Sequence, residues 1–532
     1  MMLRLDRDSR TPLYLQIRNQ LREMILDGTL SEGSRLPPER KMAAALGVNR
    51  NTVVNAYREL AADGLVEAHV GRGTTVRRSP VVSPSTALRT GAVEPPMDEV
   101  SGPGPAPFHP LVWSEYFVPR PEGGRDPLLR DLTALLTRPD TISFAAGIPA
   151  PELYPLDDFR QAMAHVLDTA GQALLQPCPV EGYYPLRQVI ARRMAGRGAT
   201  LQAENTLIVT GSQQGLDLIA RAFLKAGDEV VVEAPSYLGA LQIFSAAGAR
   251  LLGVPVDEEG MRLDILENIL IRYRPKLIYT LPTFQNPSGC SMAPRRRLRL
   301  LELARRHRVP IVEDDPYGEL YYTDQAPSPL LALDQHGYVI YLSTFSKILF
   351  PGLRLGWVAA PRPVIERLSQ IKQLADLHCS TLIQGAVYEF CQRGALDKHL
   401  DHVRDPYRQR RDAMLAALRH AQDTALTEHG PAGLEWDEPQ GGFNLWCRLP
   451  PGLKARQLVA EAARQSVALV PGEVFYPDGG GQEEMRLNFS CPPVALIEEG
   501  VQRLGVAMTT LMRRRKREKP GREVEVETQP IV

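Results

Sequence analysis

The chain has 532 residues, 44% of them hydrophobic and 23% charged, with Lys plus Arg and Asp plus Glu equal at 62 each. This is the composition of a soluble globular protein of two to four domains, neutral as a whole but free to contain a basic part. Six scattered cysteines without a CxxC pair argue against a disulfide framework or a zinc site and for a reducing compartment, so no metal is expected. The N-terminus MMLRLDRDSR has charges where a signal peptide needs an apolar run, and no stretch reaches the length of a membrane span. The expectation is a cytoplasmic protein with no membrane contact.

Residues 1–78 carry 13 Lys/Arg and 9 Asp/Glu, a net of +4, which permits nucleic-acid binding. In residues 12–27, Leu13, Ile17, Leu21 and Ile25 fall four apart and build one apolar helix face, ended by Gly28. A second short helix is predicted from Pro38 to Leu46, with Gly47 for the turn. Asn49 can cap a third helix over residues 50–63, with Val53, Ala56, Leu60 and Ala61 facing inward. Arg50, Asn51, Thr52 and Asn55 then face outward near its N-terminal end, the part of a helix-turn-helix that enters the major groove. Arg can pair with guanine, Asn with adenine, and Thr can serve phosphate or a thymine methyl. LVEAHV and TTVRR read as two short strands around Gly71-Arg72-Gly73, a wing with Arg72 at its tip. Helical pattern alone also fits a three-helix scaffold for protein contacts.

The complete string narrows this. PLYLQI, LSEGSRLPPERKMAAALGVNRNTVVNAYRELAADGLV and GRGTTV together resemble the GntR-type winged helix domain over residues 10–77. The resemblance implies a dimer on double-stranded operator DNA. Arg40, Arg50, Asn51, Thr52, Asn55, Arg58 and Arg72 are the expected DNA contacts.

Seven prolines in residues 79–107, without apolar periodicity, mark a linker. From residue 108 to 512, strand-like runs at 206–211, 229–234, 275–281, 309–314 and 338–343 alternate with helical patterns, the sign of an α/β domain. Residues 513–532 are charged and apolar-poor and read as a solvated, disordered tail.

Ser343-Thr344-Phe345-Ser346-Lys347 ends the last of these strand runs, and Arg354 follows seven residues on. A lysine flanked by hydroxyls and followed by arginine suits an aldehyde cofactor bearing a phosphate: the amine forms a Schiff base, while hydroxyl and guanidinium hold the phosphate. Gly211-Ser212-Gln213-Gln214-Gly215 sits between a strand and a helix, where backbone N–H groups make a phosphate cradle. Tyr237 can stack on a pyridine ring, and Asn286 and Tyr317 can contact a ring hydroxyl. Asp314 can keep the pyridine nitrogen protonated and the ring an electron sink, and Arg486 can grip a substrate carboxylate. Taken singly, these are a surface lysine, a core tyrosine, a turn asparagine and a surface ion pair.

Together, in this order and each at a strand end, they resemble the fold type I, class I aminotransferases from about Phe108 to Leu511. DTISFAAGIPAPELYP, GSQQGLDL, APSY, QNPSG and EDDPYGEL most resemble the branch acting on aminoadipate and related amino acids. The resemblance implies a large α/β subdomain, a smaller α+β subdomain and pyridoxal 5′-phosphate (PLP) as cofactor. It makes Lys347, Asp314 and Tyr237 the catalytic set, and Ser212, Gln213, Thr344, Ser346 and Arg354 the phosphate contacts. Asn286 and Tyr317 become contacts to the ring hydroxyl, and Arg486, Asn286 and Gly147 line the substrate side. One position departs from the family: its YxxxxGxxxLR stretch reads PCPVEGYYPLR here, with Pro177 where a tyrosine reaches the partner subunit's phosphate.

A GntR-type winged helix, a proline-bearing linker and an aminotransferase domain, in that order, resemble the MocR subfamily of bacterial regulators. The resemblance implies a homodimeric, DNA-binding transcriptional regulator that holds PLP on Lys347 and senses PLP or its adduct with an amino compound. The alternative is a working aminotransferase of the aminoadipate or aromatic amino acid type with an appended DNA-binding domain; the sequence leaves turnover open.

Overall fold

The computed structural model describes residues 12–26, 29–31, 33–62, 65–69, 73–76, 140–425 and 433–518, together with Leu3, Leu5, Trp113 and Tyr116. The chain divides into two compact units, Met1–Leu111 and Val112–Val532. The proline-bearing residues 79–107 and the wing tip with Arg72 lie outside the described residues.

The first unit contains α1 (Leu13–Leu26), α2 (Glu39–Leu46), α3 (Arg50–Ala62), β1 (Val66–His69) and β2 (Gly73–Val76). Ile17 and Leu21 of α1 are fully buried with Val53, Ala56, Tyr57 and Leu60 of α3. Residues 53, 56, 57 and 60 follow the i, i+3, i+4, i+7 spacing of one helix stripe. Tyr57 therefore takes the inward place that the sequence reading assigned to Ala61, which is exposed. The Tyr57 hydroxyl survives burial by donating to Pro37 O at 2.7 Å. Gly47 adopts φ 63 at the end of α2, a left-handed conformation that glycine reaches without a Cβ clash and that turns the chain into α3. Asn49 caps α3, its Oδ1 accepting from Asn51 N at 2.9 Å. The wing gains a third strand-like partner: Leu36 N donates to Thr74 O at 2.9 Å and Val76 N to Ser34 O at 2.9 Å.

In chain order the second unit contains β3 (Ile142–Ser143), α4 (Leu156–Leu174), α5 (Tyr184–Gly196), β4 (Thr206–Val209), α6 (Ser212–Phe223), β5 (Glu229–Ala234), α7 (Leu238–Ala246), β6 (Arg250–Asp257), β7 (Gly260–Met261), α8 (Leu263–Tyr273), β8 (Leu277–Thr280), α9 (Pro294–His307) and β9 (Ile311–Asp314). There follow α10 (Leu330–Leu333), β10 (Val339–Thr344), β11 (Gly356–Ala359), α11 (Arg362–Ala375), α12 (Thr381–Gln392), α13 (Ala395–Ala425), β12 (Glu435–Trp436), β13 (Asn444–Arg448), α14 (Ala455–Arg464), β14 (Val467–Ala468), β15 (Val470–Pro471), β16 (Glu484–Asn488) and α15 (Val494–Glu518).

The large sheet has the order β4-β11-β10-β9-β8-β5-β6-β7. Strands β10, β9, β8, β5 and β6 pair in parallel, while β11 is antiparallel to both its neighbours. Alternate residues supply two different cores: Ile208, Val231, Ile278, Ile311 and Tyr341 on one face, Leu207, Val230, Leu277, Val312 and Ile340 on the other. Both faces are covered, so these strands are continuous apolar runs rather than alternating ones. Parallel pairing also sets the carboxyl ends of β10, β9, β8 and β5 along one edge, where open α/β sheets bind ligands.

The smaller subdomain is a four-stranded sheet, β12-β13-β16-β15, whose Leu445, Cys447, Met485 and Leu487 pack with Leu458 of α14 and Val501 of α15. Helix α15 runs on to Glu518, past Arg513, where the sequence reading began its disordered tail. The charged turn finds partners on the body: Arg514 Nη1 donates to Glu461 Oε2 at 3.1 Å and Arg515 Nη1 to Pro451 O at 2.8 Å.

Candidate functional site

The carboxyl edge of the large sheet gathers the residues singled out from sequence. Ser212 and Gln213 open α6 just after β4, Tyr237 follows β5, Asn286 follows β8, Asp314 ends β9, and Thr344 ends β10 with Ser346 and Lys347 immediately beyond. Gly211, with φ 80, precedes helix α6, and among the described residues no side chain caps it, which leaves its first N–H groups for an anion. A Cβ on Gly211 would lie 2.8 Å from Arg354 Nη2, so glycine lets that guanidinium close on the turn. Arg354 Nη2 donates to Thr210 O at 3.3 Å, and Thr344 Oγ1 donates to Ser346 Oγ at 2.9 Å. Hydroxyls, guanidinium and a helix N-terminus thus converge on one place.

Lys347 Nζ donates to Gly147 O at 2.6 Å. Burial lowers its pKa to about 8, helped by Arg486 and Arg354 and opposed by Asp314. Asp314 is 2% exposed. Its Oδ2 accepts from the Tyr279 hydroxyl at 2.8 Å, while its buried Oδ1 has no hydrogen-bond partner among the described residues. Burial raises this carboxyl to about 7, with the Tyr279 bond pulling the other way. A buried carboxylate oxygen without a partner among the described residues, on a side chain whose charge acts on both Lys347 and Tyr237, fits the ring nitrogen of a pyridine. The donor set beside it fits a phosphate and the lysine fits an aldehyde, so the residues present suit PLP.

Tyr237 is partly buried and donates to Gln213 Oε1 at 3.1 Å; burial and the nearby Asp314 raise its hydroxyl to about 12. Tyr317 is fully buried with its ring edge against Phe443, centroids 5.3 Å apart. Arg486 of β16 reaches across from the smaller sheet: Nη1 donates to Asn286 Oδ1 at 3.1 Å and Nη2 to Ala145 O at 2.6 Å. Its guanidinium lies 5.2 Å from the Phe475 ring centroid, and burial lowers its pKa. Gly147, Asn286 and Arg486 are therefore joined to the lysine through the Ala145–Gly147 segment. Pro177 is exposed between α4 and α5, Tyr183 is turned edge-on to Tyr388 at 5.8 Å, and Tyr184 lies under Arg187 at 5.3 Å. Tyr279, Ala145 and Phe475 escaped the sequence reading. Only a tyrosine inside the aliphatic run LIYT could have signalled Tyr279.

On the first unit, Arg40, Arg50, Asn51, Asn55 and Arg58 are exposed and Thr52 is half-buried. Arg50 is not free: its Nε and Nη2 donate to Glu39 Oε2 at 3.2 and 2.8 Å. Among the described residues no group of His, Cys, Asp or Glu is placed to hold a metal ion, and no helix is long and apolar enough to cross a membrane.

The fold is that of the aminotransferases. The profile for "Aminotransferase class I and II" matches residues 139–504, and the chain belongs to that family; "Bacterial regulatory proteins, gntR family" matches residues 13–76. Among its relatives, Aromatic-amino-acid aminotransferase 1 of Thermococcus litoralis is 40% identical over 76% of this chain and 96% of its own. The uncharacterized HTH-type transcriptional regulator YisV of Bacillus subtilis is 33% identical over 95% of this chain and 98% of its own. The "Probable rhizopine catabolism regulatory protein MocR" of Rhizobium meliloti is 30% identical over 96% of each chain. The α-aminoadipate aminotransferase LysN of Thermus thermophilus, complexed with N-(5'-phosphopyridoxyl)-L-leucine, superposes with a TM-score of 0.69 at 39% identity, covering 76% of this chain and all of that one. MocR and HTH-type regulators of this two-domain plan are thus homologues, and the family implies PLP as cofactor.

Proposed function

We propose that the chain is a transcriptional regulator that binds operator DNA through α3 and its wing, holds PLP at Lys347, and senses PLP or its adduct with an amino compound. The pairing carries this reading: a GntR-type helix-turn-helix stands in one chain with an aminotransferase domain, and HTH-type transcriptional regulators align with this chain over nearly their whole length. A homodimer on a two-half-site operator is part of the proposal.

Bound at this edge, PLP supplies an aldehyde that condenses with amines and a ring that draws electrons. The chain's own residues do the rest. Asp314 Oδ1 would accept from the ring nitrogen; Ser212, Gln213, Thr344, Ser346 and Arg354 would hold the phosphate; Asn286 and Tyr317 would face the ring hydroxyl, and Tyr237 would cover the ring. Arg486 would take the carboxylate of an amino ligand. Lys347 couples the site to the rest of the unit, because the same amine donates to Gly147 O. A ligand that changed what this amine bonds would change how the Ala145–Gly147 segment is tied down, and a ligand that prefers one arrangement shifts the population of both.

The test is a gel shift on DNA upstream of the chain's own gene, with and without PLP. A specific shift whose affinity changes with PLP supports the proposal. Turnover of an amino acid with a 2-oxo acid at enzymatic rates, without such a shift, supports the transaminase reading that the relative from Thermococcus litoralis favours. Arg50→Ala is expected to weaken operator binding by about ten- to a hundredfold, the worth of one bidentate base contact. Its visible cofactor spectrum should match the wild type, and a loss of both together would mean that the two units do not act separately.

A further inference from the structure

Thr210, the residue before the phosphate turn, has every polar atom engaged. Its N donates to Gln214 Oε1 at 2.7 Å and its O accepts from Arg354 Nη2 at 3.3 Å. Its Oγ1 lies 3.5 Å from Asp376 Oδ2 and 3.3 Å from Cys379 Sγ. Gln214 turns its other end away from the turn, and Nε2 donates to the same Asp376 Oδ2 at 2.7 Å. The second oxygen of Asp376 accepts from Lys372 Nζ at 2.7 Å, and the Lys372 side chain is fully buried. A chain of contacts therefore runs from a buried cation near the end of α11, through one carboxylate and one amide, to both sides of Thr210.

A helix N-terminus binds an anion only when its N–H groups converge on one point. Here Gly211, at φ 80, is a pliant joint, and among the described residues no side chain caps α6. The orientation of Ser212 and Gln213 must be imposed from outside: the Asp376 chain holds the residues on either side of this stretch, Thr210 and Gln214, and the Tyr237 hydroxyl donates to Gln213 Oε1 at 3.1 Å. The segment after Asp376 also holds the stretch with Pro177: Thr381 Oγ1 donates to Gln176 O at 3.2 Å, and Gln384 Oε1 accepts from Tyr183 N at 2.7 Å. With proline in the place of a phosphate-binding tyrosine, the cradle leans on contacts made within the chain.

We propose that Asp376, anchored by Lys372 and acting through Gln214, is a positioning residue that aims the Gly211–Gln213 turn at the phosphate of the cofactor. The proposal rests on the cofactor reading above. A merely structural ion pair would support the ring, the lysine and the phosphate alike; a positioning residue acts on the phosphate alone.

The full-length protein, stripped of cofactor, is titrated with PLP and separately with pyridoxal, which has the same ring and aldehyde but no phosphate, and the visible band is followed. Asp376→Asn keeps an oxygen for Lys372 and loses the charge. Gln214→Met breaks the chain without touching the ion pair and serves if the first variant folds poorly. Each is expected to lose about tenfold in PLP affinity, the weight of one charge-assisted hydrogen bond, and to keep wild-type affinity for pyridoxal. Equal losses for both ligands, or no loss for either, overturn the proposal. A wild type that gains no visible band with either ligand overturns the cofactor reading itself, so the two failures are told apart.

Discussion

Lys347→Ala is expected to abolish the visible band that PLP gains on a protein amine, and with it any response of DNA binding to PLP. The reason is chemical: Lys347 is the amine that the fold brings near Arg486, Arg354 and Asp314, and alanine has nothing to condense with the aldehyde. Only the neutral amine is nucleophilic. With a pKa near 8 rather than the ordinary 10.5, a sizeable fraction is neutral at physiological pH. The rate at which apoprotein captures PLP should level off above about pH 8 and fall about tenfold per unit well below it. The stability of the apoprotein follows the same group. Its folded pKa is depressed, so the cost of charging it is absent above the unfolded value, grows as pH falls toward about 8, and is full below that. Lys347→Ala should lack this part of the pH profile. A visible band retained in the variant, or a capture rate indifferent to pH, would show the lysine assignment to be wrong.

The second large effect is expected at Asp314. Asp314→Asn can still accept from Tyr279, so the local fold has its bond, but it presents no carboxylate to a ring nitrogen. A loss of about 2–3 kcal/mol, or roughly 30- to 150-fold in PLP affinity, follows from the removal of one buried charged hydrogen bond. The sign of the pH effect is opposite to the usual carboxylate. Burial raises the folded pKa to about 7 from 3.8, so the folded apoprotein holds a proton that the unfolded chain gives up. Apoprotein stability should therefore fall as pH rises between about 4 and 7, by on the order of 4 kcal/mol at most, and stay at the lower level above that. Asp314→Asn should lose this dependence. A bound cofactor should also weaken it, because a cationic ring nitrogen gives the carboxylate a partner. Melting curves across this range, with and without PLP, measure both. Coincident curves for wild type and variant would remove Asp314 from the role.

Much of this molecule is legible in its sequence because the signals are local. The helices of the first unit announce themselves by apolar spacing and by Gly47 and Asn49, which act within a few residues of themselves. The runs at 229–234, 277–280, 311–314 and 339–344 are strands because both faces of the sheet are covered, and the residues that follow them bear the cofactor chemistry. Even there, spacing allowed Ala61 where packing chose Tyr57, since only the structure supplies Pro37 O for the hydroxyl.

What remained hidden is pairing at long range. Lys347 meets Gly147 across 200 residues, Arg486 meets Asn286 across another 200, and Gln214 meets Asp376 across 162. None of these separations has a period or a motif, because each depends on which strand lies beside which and on where the smaller sheet stands over the larger. The Oδ1 of Asp314, without a partner among the described residues, is of the same kind: the sequence puts a carboxylate at a strand end, and only the packed sheet, by setting one oxygen against Tyr279 and leaving the other unsatisfied, makes it an acceptor in need of a proton.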